Sequence, residues 1–80
     1  MDNSRIKALT TDYLTASSLL SIDLKRFSGT LSDLETVALP DRVKEGLKAL
    51  MVKESDVLIE EVEKLQALLA SMKTALMGEE

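Results

Sequence analysis

Cysteine, histidine and tryptophan are all missing from this 80-residue chain. Without cysteine no disulfide can staple the fold, and with histidine gone as well a zinc site would have only carboxylates as ligands. The same gaps remove the commonest general base and the most nucleophilic side chain. Serine and threonine hydroxyls are plentiful, yet none stands in a Gly-x-Ser-x-Gly elbow. Three separated glycines cannot build a phosphate-binding loop. The sequence therefore reads as non-catalytic, with no cofactor and no metal.

Aromatic residues are almost absent too, Tyr13 and Phe27 being the two. Sheets usually carry more aromatic and β-branched residues, whereas Leu, Ala, Val, Ile and Met in register suit helix bundles and coiled coils. No stretch approaches the roughly 18 uninterrupted apolar residues of a membrane span. Tyr13 to Leu24 has the look of a signal core, but Thr15, Ser17, Ser18, Ser21 and Asp23 interrupt it and it lacks a basic leader with a clean cleavage site. A mature cytoplasmic protein is the expectation. The net charge of −4 opposes sequence-independent binding to nucleic acid or to an anionic membrane.

The chain does contain two long amphipathic patterns. In the first, Ile6, Leu9, Tyr13, Ala16, Leu20, Leu24, Phe27 and Leu31 recur at steps of three and four, which predicts a helix over about 4–28. Asn3 or Ser4 can cap its start. Its many Ser and Thr residues weaken it in isolation, so it needs a neighbour. Ser28-Gly29-Thr30 predicts a break, with Gly29 as a left-handed cap behind Lys25 and Arg26. Ser32-Asp33-Leu34-Glu35 then fits a capping box, predicting a short helix or turn over about 32–39. A first helix continuing to about residue 38 is the alternative. Pro40 stops whatever precedes it.

Asp41 is the predicted N-cap of a long last helix, about 41–77, with Gly78 as its stop and Gly46 as a soft spot worth about 1 kcal/mol. In a heptad reading, Met51, Leu58, Leu65 and Met72 occupy one seam position. Val62, Leu69 and Leu76 occupy the other, where Ser55 replaces an apolar residue. These seven residues are the candidate partner or oligomer interface. Leu50, Val57, Ile59 and Leu68 flank them, making the face wider than a two-stranded coil requires. At 1.5 Å per residue the two helices would be roughly 38 Å and 55 Å long. The second would then overhang the first, and its uncovered stripe would call for a partner or a second copy.

Charge along the last helix is polarised. Arg42, Lys44, Lys48 and Lys53 precede Glu54, Asp56, Glu60, Glu61 and Glu63. The basic strip would be the contact of a nucleic-acid accessory factor, although nucleic acid is a poor match for the overall charge. Two antiparallel copies crossing near Lys53 and Glu54 would be self-complementary, which sets orientation more than affinity. The acidic run is a solvated face supporting the helix, for instance through Glu60 and Lys64.

The expected fold is all-α: a helical hairpin with a short helix or turn between two long antiparallel helices, completed by oligomerisation. The expected function is that of a small protein-protein interaction module (adaptor, chaperone or inhibitor) in a homo- or hetero-oligomer, with a homo-oligomer foremost. In size and in its mid-chain proline turn the chain resembles the small helical-hairpin chaperones and needle-type subunits of bacterial secretion systems. The likeness is architectural, since Ala38-Leu39-Pro40-Asp41 lacks the double proline of such needle subunits.

Overall fold

A computed structural model describes residues 3–36 and 38–78. It is a hairpin of two helices, α1 (Asn3–Leu34, 32 residues) and α2 (Asp41–Met77, 37 residues), measuring 59 × 15 × 12 Å. Val37, within the predicted short element, lies outside the described residues.

Helix α1 does not break at Ser28-Gly29. It runs on to Leu34, and Gly29 keeps an ordinary helical backbone, positive φ among the described glycines being confined to Gly78. Packing overrides the weak local propensity here. Phe27, Thr30 and Leu34 continue the row facing α2, so stopping at residue 28 would strip that row of its last turns. With Ser32 inside the helix, no capping box forms; the Ser32 carbonyl instead accepts the Thr36 hydroxyl at 3.5 Å. Of the predicted short helix or turn, the structure has the turn, which begins after Leu34.

Pro40, in extended backbone (φ −61°, ψ 150°), is the N-cap of α2, and it makes no side-chain cap hydrogen bond. Its carbonyl accepts the N–H groups of Val43 and Lys44. Asp41, predicted as the cap, is instead the first helical residue, where its negative charge faces the positive end of the helix dipole. At the other end Gly78 acts as anticipated. At φ 73° it is left-handed, and its N–H bonds back to Ala75 and Thr74 carbonyls.

The continuity of α1 removes the predicted overhang. At 1.5 Å per residue α1 spans about 48 Å against about 55 Å for α2, and the helices pair along nearly their whole length. Whatever apolar surface stays uncovered is a matter of the hairpin's sides, not of a protruding end.

Candidate interaction surface

The register is fixed by contacts between helices. Thr30 donates its hydroxyl to Glu54 Oε1 at 3.3 Å, and the carboxyl of Asp23 lies beside that of Glu61. One heptad further from the turn, Ala16 and Leu68 line a common hollow, and the next step aligns Leu9 with Ala75. On this edge of the interface small residues meet large ones and polar residues meet polar ones. The other edge is aliphatic and aromatic: Tyr13, Leu20, Phe27 and Leu34 pack against Met51, Leu58, Leu65 and Met72, all buried or half-buried.

Only half of the predicted seam therefore faces inward. Met51, Leu58, Leu65 and Met72 are consumed by the hairpin itself, Leu65 most completely. Their inward companions are Glu54, Glu61, Leu68 and Ala75, one residue before the predicted row. Val62, Leu69 and Leu76 point outward, 43–57% exposed. The same shift occurs in α1, where Asp23 and Thr30 face inward while Leu24 and Leu31 are turned out. Had the leucine rows faced each other, Asp23 would remain in a helix whose neighbouring inward positions are apolar. Pairing it with the acidic side of α2 groups the polar residues in adjoining layers.

Those layers have distinct electrostatics. Glu61 is held above the ordinary carboxylate value of 4.5 by its hydrogen bond with Asp23, by loss of solvent and by the Asp23 charge, in that order. Two carboxylates brought together disfavour the charged form of Glu61. Asp23 also pairs with Arg26 at 3.4 Å. Glu54 Oε2 and Glu61 Oε1 are shielded from solvent and accept no hydrogen bond. Asp23, Arg26, Glu54 and Val57 enclose a hollow of about 50 Å³. The acidic run of α2 is thus not one solvated face: Asp56, Glu60 and Glu63 are exposed, but Glu54 and Glu61 turn into the hairpin. Among the described residues no three acidic groups are placed to hold a metal ion.

The basic residues of α2 diverge. Lys44 is half-buried at the start of the inward row, whereas Arg42, Lys48 and Lys53 are exposed on other sides of the helix, and Lys48 reaches Glu45 at 3.9 Å. They do not line up as one stripe.

The two outward leucine rows share one side of the molecule. Arg26 and Val57 border the same hollow, as do Leu19 and Lys64, so these flanks mark one long edge of the hairpin. The opposite edge carries Thr10, Ser17, Leu24 and Leu31 from α1 and Ser55, Val62, Leu69 and Leu76 from α2. Thr10 reaches Met72 Sδ at 3.6 Å across that side. Between these limits the two rows contain no charged residue. Val52 and Ile59 widen the surface, at 63% and 55% exposure.

Its hydroxyls are already satisfied. Thr10 donates to the Ile6 carbonyl at 2.8 Å, Ser17 to Leu14 at 3.0 Å and Ser55 to Met51 at 2.8 Å. A side chain bonded to its own helix can be covered by an apolar group without orphaning a donor. The predicted dilution of α1 by Ser and Thr thus costs helix propensity but leaves a surface that behaves as apolar. Sequence reasoning picked out Val62, Leu69 and Leu76. It missed Leu24 and Leu31 as surface residues, and the signal for them was Asp23 and Thr30 at the competing heptad position.

Among the described residues no helix is long and apolar enough to cross a membrane. Compared with protein-family models, with curated proteins and with solved structures, the chain matches none.

Proposed function

We propose that this protein is a non-catalytic interaction module, an adaptor, chaperone or inhibitor of the cytoplasm that works by helix-on-helix burial. The observation that carries this reading is the charge-free outer face, where Leu24, Leu31, Val62, Leu69 and Leu76 stand 40–57% exposed on a hairpin whose own interface they do not serve. Single exposed leucines are ordinary, but contiguous rows of them mark association surfaces. The partner is a protein, either another chain or a second copy. The divergent lysines of α2 give no comparable support to a nucleic-acid role.

A photo-crosslinking residue at position 69, compared with one at the exposed acidic position 63, tests the reading in cells. Protein adducts from position 69 and few from position 63 are expected. Equal labelling from the two positions, or none from either, would overturn it.

A further inference from the structure

We infer that the occupant of the outer face is a second copy of this chain, docked face to face so that two hairpins form a four-helix bundle. The inference rests on the interaction reading above and adds the identity of the partner.

Area is the first support. The chain exposes 5934 Å² at 8.8 kDa, about 1,100 Å² more than the roughly 4,800 Å² of a compact monomer of that mass. Covering that excess on each of two copies would bury about 2,200 Å² in total, which is the range of obligate homodimers. Among the described residues only Ala16, Thr30, Leu65 and Ala75 are buried in the single hairpin, so its own core is thin. A small chain without disulfides gains most from a shared core.

Self-complementarity is the second. Towards the open end of the hairpin the α1 row is small (Thr10, Ser17) and the α2 row is large (Leu69, Leu76). Towards the turn the order reverses, with Leu24 and Leu31 beside Ser55. A two-fold axis along the hairpin sets α1 of one copy over α2 of the other, so Ser17 meets Leu69 and Leu31 meets Ser55. Isologous contacts need this self-matching, and alternation of large and small is how facing layers reach native packing density.

Charge is the third. Each copy carries −4, and none of it lies on the rows from Thr10 to Leu31 and from Ser55 to Leu76; the exposed Lys48, one heptad before Ser55, and Lys73, on the row of Val52 and Ile59, stand at the rim. The antiparallel crossing suggested by the basic and acidic stretches of α2 is not the basis here, because Glu54 is turned into the hairpin's own interface.

Sedimentation equilibrium of the full chain from low to high micromolar concentration tests the inference. A mass twice 8.8 kDa is expected. The double variant Val62→Glu/Leu69→Glu should raise the dissociation constant on the order of 100-fold or more, because each copy would bury unpaired charge. The control Leu50→Glu/Val57→Glu, on the opposite edge, should leave the mass unchanged. Since the first variant could lose its fold, a second measurement uses the absence of native cysteine. Leu69→Cys and Ser17→Cys chains, mixed, should be joined by a short thiol crosslinker, and Leu69→Cys and Glu63→Cys chains should not. A native chain that stays monomeric throughout, or a dimer broken only by the control pair, overturns the inference. Adducts from position 69 to a different protein would then leave the broader interaction reading standing, whereas no adducts at all would end both.

Discussion

The two halves of the hairpin are built on one register but from different materials. In the open half, Leu9, Ala16, Leu68 and Ala75 form the edge of the interface beside Leu65, and the three apolar residues buried among the described ones, Ala16, Leu65 and Ala75, lie there. In the half nearer the turn the same edge consists of Asp23, Thr30, Glu54 and Glu61, around a small hollow. Apolar layers stabilise without discriminating between registers, since a slip of one heptad replaces one leucine by another. Polar layers contribute little net stability but make every other register worse, as single polar residues do in coiled coils. The open half holds the helices together, and the turn half decides how they are aligned.

The most damaging way to break this division is to attack the open half at its centre. Leu65→Asp should abolish folding, leaving far-UV dichroism without a cooperative melt; Leu65→Ala should cost about 2–5 kcal/mol in urea denaturation. A Leu65→Asp chain with an unchanged melting temperature would refute the packing described. Next in size is Ala75→Leu. Ala75 is 6% exposed and aligned with Leu9, so the added carbons have no room, and a loss of about 1–3 kcal/mol is expected by the same measurement.

In the turn half the helix glycines offer a gain. A Cβ at Gly29 or Gly46 meets nothing within 4 Å, and neither glycine has positive φ. Gly29→Ala and Gly46→Ala should each stabilise by about 1 kcal/mol, which thermal melts would register. A loss at Gly29 would show that α1 breaks there after all.

The smallest effect is the most specific. The folded chain binds the Glu61 proton more tightly than the unfolded chain does. Its contribution is therefore fully present below about 4.5, and it is lost as pH rises through the elevated folded value. Melting temperature measured against pH should show this gain on mild acidification for the native chain and not for Glu61→Gln. The variant, with a neutral amide beside Asp23, should be the more stable of the two at pH 7. Parallel curves would mean that the contact with Asp23 does not raise Glu61.

The hairpin, its proline turn and the Gly78 stop were legible because they rest on local signals: a three-four periodicity, a residue barred from helix interiors and a glycine past the last apolar position. The end of α1 was misread for the opposite reason. Ser28-Gly29 is a local stop signal, but Phe27, Thr30 and Leu34 gain packing against α2 if the helix continues, and that gain is invisible from one helix alone. The interaction surface was half legible. Periodicity gives each helix two overlapping apolar rows, and only the partner helix decides which turns inward. Asp23 and Thr30 made that choice, taking Glu54 and Glu61 as partners and leaving Leu24, Leu31, Val62, Leu69 and Leu76 outside.

The antiparallel path also has a mechanical consequence. Asn3 and Met77 lie at the same end of the hairpin, beside the tightest layers. Tension applied through the two ends of the chain would load those layers one at a time, as a zipper is pulled, beginning with Leu9 and Ala75. The strongest teeth come first, and once Ala16 and Leu65 part, the polar layers beyond cannot bear the same load. The hairpin should therefore resist up to one threshold and then open to its turn in a single event.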